Sequence, residues 1–259
     1  MSTPRFEGRV ALVTGGGGAL GSAVVAALAT EGATVVVADV AADGAEKVAG
    51  EARRQGASAL ALELDVGEKQ LVDAAFARVE GELGRLDVLV NLAGGSLDTP
   101  RHLSQITPEH YDLVLNVNLR GTFLCCQAAV PLLVKGGGGA IVNTSSIGGR
   151  SVSPVTGAPY AAAKAGVLGL TRRLALELGP LGIRVNAVAP GLFLSGPRLQ
   201  RMWDSMAEHE RSRVLDEIPL GRLPDAGEAV APILFLASDE ASYITGAVLD
   251  VNGGRFMAG

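Results

Sequence analysis

Val10-Ala11-Leu12-Val13-Thr14-Gly15-Gly16-Gly17-Gly18-Ala19-Leu20-Gly21 is the stretch that decides the fold. It reads as a buried strand that runs into a glycine turn, and an apolar helical segment over residues 22–30 follows directly. This order is typical of a dinucleotide-binding site, because glycines let the backbone approach a pyrophosphate at the helix N-terminus. Without such a context a glycine run is a flexible loop, which is how we interpret residues 136–139.

The next predicted strand, residues 34–39, ends in Asp39, eighteen residues beyond Gly21. A carboxylate at about this distance accepts hydrogen bonds from the adenosine ribose hydroxyls. Residues 10–46 contain no Lys or Arg, so a 2′-phosphate here would meet Asp39 with no local cation. Because like charges repel at such a contact, the sequence predicts NAD(H) rather than NADP(H).

Composition indicates one globular domain over residues 1–259. The chain is 48% hydrophobic and 19% charged, with 35 glycines and a net charge of −5, which suits a buried parallel sheet with short turns. The absence of a basic tract argues against nucleic acid and anionic membranes as partners. Residues 1–9 carry no apolar leader, and the adjacent pair Cys125 and Cys126 makes no disulfide scaffold. We therefore expect a cytoplasmic protein with reduced, buried cysteines.

Strand and helix patterns alternate along the chain. Strands are predicted at residues 10–14, 34–39, 59–64, 88–91, 139–144, 184–188 and 248–251, and helices at 20–31, 44–55, 69–83, 108–134, 159–178, 198–216 and 226–237. This alternation predicts an α/β fold: a single Rossmann-type, doubly wound parallel sheet of about seven strands with helices on both faces. Ligands of such sheets bind beyond the carboxyl ends of the strands.

Tyr160 and Lys164 lie four residues apart in a predicted helix, so they share one face. A fixed cation beside a phenol favours the phenolate and lowers its pKa. A tyrosine tuned in this way can pass protons to and from an alcohol or a carbonyl group.

Over nearly its whole length the chain resembles the short-chain dehydrogenase/reductase family. The resemblance is carried by six segments in the family's order: the glycine loop of residues 14–21, Asn91-Leu92-Ala93-Gly94, Asn116-Val117-Asn118-Leu119, Ser145-Ser146, Tyr160 with Lys164, and Pro190-Gly191. Two positions depart from the pattern. Ala19 replaces a usual glycine, and Leu92 replaces an asparagine whose amide helps to hold the central strands, which puts local stability in question.

The resemblance implies the catalytic set Asn118, Ser146, Tyr160 and Lys164. Tyr160 would be the acid/base, Lys164 would lower its pKa and bind the nicotinamide ribose, and Ser146 would bind the reacting oxygen. We choose Ser146 over Ser145 because the residues that follow it fit the family pattern, and because adjacent strand residues face opposite ways. Asn118 would hold a water that links Lys164 to solvent, or it is an ordinary satisfied helix amide.

The glycine loop and the resemblance together imply a cofactor-binding set. Its members are Gly15, Gly18, Leu20, Gly21, Asp39, Asp65, Val66, Asn91, Ala93, Gly94, Tyr160, Lys164, Pro190, Gly191 and Ser195. Two of them have plainer alternatives: Asp65 as the cap of the helix near residue 69, and Ser195 as a turn residue. The three histidines lack metal-ligand spacing, so no metal site is predicted.

Residues 193–217 are predicted to form a helical lid over the substrate. Phe193, Leu194, Met202, Trp203 and Met206 would supply an apolar lining, although ordinary packing of an amphipathic helix explains this pattern equally well. Four arginines face five acidic residues in the lid, so it offers no net positive surface to a large anionic carrier.

We therefore predict an oxidoreductase that transfers a hydride between NAD(H) and a secondary alcohol or ketone. The alternatives are an NADPH-dependent 3-oxoacyl thioester reductase and a catalytically silent dinucleotide-binding sensor. The family resemblance, with the apolar helices at 108–134 and 159–178, also implies a homotetramer.

Overall fold

The computed structural model describes residues 4–153, 155–194 and 196–258. The strands are β1 (Val10–Thr14), β2 (Thr34–Asp39), β3 (Ala59–Glu63), β4 (Val88–Asn91), β5 (Gly139–Thr144), β6 (Ile183–Pro190) and β7 (Val248–Val251). The helices are α1 (Ala19–Thr30), α2 (Ala42–Arg54), α3 (Lys69–Leu83), α4 (Pro108–Leu115), α5 (Gly121–Lys135), α6 (Ala158–Leu178), α7 (Pro197–Ser205), α8 (Glu208–Asp216) and α9 (Ala226–Ala237).

All seven strands belong to one parallel sheet, in the order β3-β2-β1-β4-β5-β6-β7. The strand order reverses between β1 and β4, which opens a crevice at their carboxyl ends. This architecture confirms the predicted doubly wound fold.

Two hydrophobic clusters cover the two faces of the sheet. Leu12 and Val36 face the cluster formed with α3, α5 and α6, whereas Val13 and Val35 face the cluster formed with α1, α2 and α9. Successive strand residues thus enter opposite cores, and this is why the strands read as continuous apolar runs rather than as alternating patterns.

The predicted helix at 108–134 is not a regular α-helix throughout. A π-helical segment, Asn116–Arg120, separates α4 from α5. Such a segment adds one residue to the local turn and is frequent at functional sites. The most apolar 18-residue window of residues 108–135 is long and apolar enough to cross a membrane, but half of it is buried inside the protein. Leu124, Leu132 and Leu133 of α5 pack in the first core cluster, whereas Phe123 and Val134 are exposed.

The prediction of one helix at 198–216 is wrong, because the structure has two helices there. The carboxylate of Glu210 accepts a hydrogen bond from the backbone N–H of Ala207 at 2.9 Å, which caps the start of α8. Met206 has an extended backbone and ends α7. Elsewhere most predicted boundaries coincide with the structure, and the others differ by one or two residues.

Candidate active site

The glycine loop packs directly on the loop that follows β4. Gly15 has φ +68°, and a Cβ atom there would lie 2.9 Å from the backbone nitrogen of Ala93. A Cβ atom at Gly21 would lie 2.0 Å from the carbonyl oxygen of Gly15. Both positions therefore need glycine.

The N-terminus of α1 faces the crevice without a capping side chain. Gly18 is its N-cap residue, and the first turn contains no acidic residue. Since the first N–H groups of a helix need acceptors, this end is suited to hold the pyrophosphate of a dinucleotide. Leu20, in that first turn, packs against the second core cluster.

Asp39 connects the end of β2 to the glycine loop. Its carboxylate accepts hydrogen bonds from the backbone N–H groups of Gly17 and Ala41, each at 3.0 Å. These two bonds fix the carboxylate at the carboxyl end of the strand, where the adenosine ribose of a dinucleotide would lie.

Asp65 stabilises the turn after β3. Its Oδ1 accepts a hydrogen bond from the N–H of Gly67 at 2.9 Å. It does not cap α3, which begins at Lys69 after Glu68 and has no side-chain cap. The adjacent Val66 is buried.

The side chain of Asn91 is used inside the protein rather than in the crevice. Its Nδ2 donates to Oδ1 of Asn143 at 2.9 Å, so β4 and β5 are linked by side-chain amides. The amide at position 91 thus holds the central strands, and the effect of Leu92 on local stability stays a prediction. The loop beyond is fixed by Thr14, whose hydroxyl oxygen accepts from the N–H groups of Leu92 and Ala93 at 3.2 and 3.3 Å.

Asn118 lies in the π-helical segment and is fully buried. Its Oδ1 accepts from the N–H of Gly95 at 2.9 Å, and its Nδ2 donates to the carbonyl oxygens of Gly95 and Val114 at 2.9 Å each. Both amide hydrogens are thus engaged, so a relay water would have to use the remaining lone pair of Oδ1 or the main chain. The predicted relay role stays a prediction.

Asn118 and Lys164 meet at Gly94, which has φ +138°. A Cβ atom at Gly94 would lie 2.4 Å from Oδ1 of Asn118 and 3.6 Å from Nζ of Lys164. The structure therefore brings together three residues that the sequence places far apart.

Lys164 is buried, with 3% of its surface exposed. Burial lowers the pKa of its ammonium group to about 8, because a charged group is poorly solvated there. The Nζ atom of Lys164 lies 5.6 Å from the ring centre of Tyr160, a residue in the first turn of α6. The spacing read from the sequence thus places the amine beside the phenol.

The last residue of β5 and the residues on either side of it fix the position of α6. Asn143 Nδ2 donates to Oγ1 of Thr171 at 3.1 Å. The carbonyl oxygen of Thr144 accepts from Nζ of Lys164 at 2.8 Å. Ser145 Oγ donates to the carbonyl oxygen of Lys164 at 2.7 Å.

The two neighbouring serines have different surroundings. Ser145 is buried and bonded to α6, whereas Ser146 is half-buried and begins the short 3₁₀ turn Ile147–Gly149. Its Oγ accepts from the N–H of Gly148 at 3.1 Å, and its hydroxyl hydrogen is not used in that bond.

Pro190 is the last residue of β6, which is longer than the predicted strand 184–188, and Gly191 follows it directly. The N–H of Gly191 donates to the carbonyl oxygen of Val251 at 2.9 Å, and its α-carbon packs beside Asn252. Ser195 lies outside the described residues. The predicted lid comprises α7 and α8, and Phe193, Leu194, Met202, Trp203 and Met206 are all half-buried.

Sequence reasoning missed Asn143 and Thr171 as supports of α6. A polar residue inside the apolar strand 139–144 was the available signal for Asn143. The role of Thr144 had no sequence signal, because its backbone carbonyl makes the contact. Within the residues that the structure describes, no three His, Cys, Asp or Glu side chains group as a metal site.

Comparison with known proteins decides the family. A family model described as enoyl-(acyl carrier protein) reductase matches residues 17–255. A 3-oxoacyl-[acyl-carrier-protein] reductase of Thermotoga maritima is 40% identical over 250 residues, covering 96% of this chain and 98% of that protein.

This chain belongs to the short-chain dehydrogenase/reductase family.

Two further relatives of this short-chain dehydrogenase/reductase bear on its substrate and cofactor. A (2S)-[(R)-hydroxy(phenyl)methyl]succinyl-CoA dehydrogenase subunit of Thauera aromatica is 38% identical over 255 residues, covering 97% of this chain and 98% of that protein. The crystal structure of a 3-oxoacyl-[acyl-carrier protein] reductase with bound NAD from Brucella melitensis superposes with a TM-score of 0.87. It is 33% identical, and the match covers 98% of this chain and 94% of that one.

The family makes this chain an oxidoreductase that uses a nicotinamide dinucleotide. The names of the relatives favour the 3-oxoacyl reductase alternative over a general alcohol dehydrogenase.

Proposed function

We propose that this short-chain dehydrogenase/reductase transfers a hydride between NAD(H) and C3 of a 3-oxoacyl or 3-hydroxyacyl thioester. The observation that carries the reaction type is the placement of Lys164, buried, bonded to the carbonyl of Thr144, and 5.6 Å from the Tyr160 ring centre. The thioester class is supported by relatives named for acyl-carrier-protein and CoA substrates.

Tyr160 provides the proton in the reducing direction. When bound, the nicotinamide supplies the hydride that the carbonyl carbon accepts. The Tyr160 hydroxyl gives its proton to the carbonyl oxygen, and Lys164 stabilises the phenolate that remains. Ser146 donates its hydroxyl hydrogen to the same oxygen and so orients the carbonyl group. In the oxidising direction the phenolate of Tyr160 removes the hydroxyl proton.

The preference for NAD(H) is supported by Asp39. Two backbone N–H groups hold its carboxylate at the end of β2, where a 2′-phosphate would be repelled. The Brucella melitensis relative with bound NAD is consistent with this preference.

The lid presents an apolar surface rather than a positively charged one. The lid carries four arginines and five acidic residues, so it has no excess of positive charge to attract an anionic protein. The half-buried Met202, Trp203 and Met206 offer apolar surface to an acyl chain.

The test is turnover of NADH and of NADPH with acetoacetyl-CoA, acetoacetyl-acyl-carrier protein and simple ketones. We expect NADH oxidation with acetoacetyl-CoA, and a loss of about 10²–10⁴-fold in kcat for Tyr160→Phe. Tyr243→Phe is the matched control, because that phenol is fully exposed. Turnover of simple ketones alone would favour the alcohol dehydrogenase hypothesis, and cofactor binding without any turnover would favour the sensor.

We propose that the enzyme is a homotetramer in the cytoplasm. The α4–α5 side carries a shallow cavity of about 660 Å³ lined by Leu115, Leu119, Phe123 and Leu170, among others. Phe123 is 42% exposed, and a second copy that packs its own apolar helices there would cover it. Light scattering should give about four times the 26.4 kDa chain mass, and Phe123→Glu should lower it. A wild-type protein that stays monomeric contradicts the assembly.

A further inference from the structure

Arg150 is held by two partners at once. Its Nε and Nη2 donate to the two carboxylate oxygens of Asp250 at 3.1 and 2.7 Å, a bidentate pair. Its guanidinium carbon lies 5.0 Å from the centre of the Phe256 ring. The side chains of Arg150 and Asp250 are 17% and 18% exposed, so this pair is much less solvated than most surface pairs of this chain.

Arg150 ends the turn that Ser146 begins. The N–H groups of Gly149 and Arg150 donate to the carbonyl oxygens of Ser146 and Ile147 at 2.9 and 3.0 Å. A Cβ atom at Gly149 would lie 2.5 Å from the carbonyl carbon of Lys164, so the middle of the turn packs on α6. β5 fixes the start of this turn, and Arg150 ties its end to Asp250 in β7.

The residues after β7 fix the partners of Arg150. Asn252 Oδ1 accepts a hydrogen bond from the N–H of Phe256 at 3.3 Å, and Asn252 Nδ2 donates one to the carbonyl oxygen of Phe256 at 3.2 Å. Arg255 forms an ion pair with Glu217 at the end of α8, with an Nε–Oε2 distance of 3.0 Å. The C-terminal turn, Asn252 to Phe256, therefore joins the serine turn to the lid.

We propose that Arg150 is a positioning residue for Ser146, acting through Asp250 and the Phe256 ring. Without this pair the serine turn keeps its contacts with β5 and α6 but loses the anchor at its end, so the Ser146 hydroxyl is held less firmly in its direction toward the substrate oxygen. The inference rests on the proposed role of Ser146, and the experiments below separate the two.

The first experiment is hydrogen–deuterium exchange of the peptide that contains residues 146–151. We expect its amides to exchange about tenfold faster or more in Arg150→Met and in Asp250→Asn, because the turn then opens more often. Arg150→Lys should give an intermediate rate, since one ammonium group cannot form the bidentate pair.

Arg5→Met is the matched control. Arg5 forms a bidentate pair with Glu31 at 3.1 and 2.7 Å and lies 5.9 Å from the Phe6 ring centre. It precedes β1 and so lies at the amino ends of the parallel strands, whereas the serine turn follows the carboxyl end of β5. This variant should leave the exchange of residues 146–151 unchanged. Unchanged exchange in both Arg150→Met and Asp250→Asn overturns the inference, with no need for a substrate.

The second experiment is a double-mutant cycle on the reduction of acetoacetyl-CoA by NADH. Arg150→Met should lower kcat about tenfold in the wild type but less than about twofold in the Ser146→Ala background, with KM for NADH unchanged. Equal losses in both backgrounds would mean a general structural effect and would overturn the inference. If Ser146→Ala alone changes nothing, the proposed role of Ser146 fails, and the positioning role fails with it.

Discussion

The ammonium nitrogen of Lys164 lies 5.6 Å from the centre of the Tyr160 ring, and it donates a hydrogen bond to the carbonyl oxygen of Thr144. The backbone thus directs the amine, and the amine in turn lies beside the phenol. Because Ser145 also holds the carbonyl oxygen of Lys164, the end of β5 sets both the main chain and the side chain of this residue.

Buried Lys164 makes the stability of the protein depend on pH. Its pKa is about 8 in the folded protein against 10.5 for a solvated lysine side chain, so between pH 8 and 10.5 the unfolded chain binds more protons. The free energy of unfolding should therefore rise with pH in this window, relative to Lys164→Met, by up to about 3 kcal/mol. Denaturant unfolding of both proteins in a Tyr160→Phe background measures it without interference from that phenol. If the difference in unfolding free energy between the two proteins stayed constant from pH 8 to pH 10.5, the lowered pKa would be contradicted.

Ser145→Ala and Ser146→Ala should differ in opposite ways in their effects on stability and on kcat. Ser145→Ala removes a buried hydrogen bond to Lys164 and should cost about 0.5–1.5 kcal/mol of stability. Ser146→Ala should leave the melting temperature nearly unchanged and should lower kcat more than Ser145→Ala does. Thermal melts and steady-state kinetics with acetoacetyl-CoA give both values, and the reverse ranking of kcat rejects Ser146 as the catalytic serine.

Asp39→Ala should lower the ratio of kcat/KM for NADH to kcat/KM for NADPH about tenfold or more, because the repulsion of the 2′-phosphate disappears. Asp73→Ala, which removes an exposed carboxylate from α3, is the control and should leave the ratio unchanged. The measurement is the ratio of kcat/KM for the two cofactors. A wild type that prefers NADPH would refute the cofactor proposal.

Both cysteines should resist alkylation in the folded protein. Burial raises the pKa of Cys126 to about 12 and raises that of Cys125 as well, so neither forms much thiolate at neutral pH. Iodoacetamide at pH 8 followed by mass spectrometry should find no label in the folded protein and two labels after unfolding. Rapid labelling of either thiol in the native protein would show that α5 opens locally.

The periodic features of the fold were predictable from the sequence. Most strand bounds and the parallel, doubly wound sheet follow from apolar runs and glycine turns, and Tyr160 with Lys164 follows from helical spacing. Two helices were less predictable. The π-helical turn at Asn118 has no sequence signature, and the break between α7 and α8 depends on Glu210 reaching back to Ala207.

The support of the candidate site was the least predictable part. Thr144 contributes a backbone carbonyl, which every residue has, so its sequence position says nothing about the contact. Arg150 and Asp250 are 100 residues apart, and only the order of β5, β6 and β7 brings them together.

The packing of the C-terminal turn has a practical consequence for handling this enzyme. Phe256 lies against Arg150, and Arg255 is bound to the end of α8, so a bulky label attached at this turn would lie beside the lid. Arg5 precedes β1 at the amino ends of the strands, so a label attached on that side of the protein would lie away from the C-terminal turn.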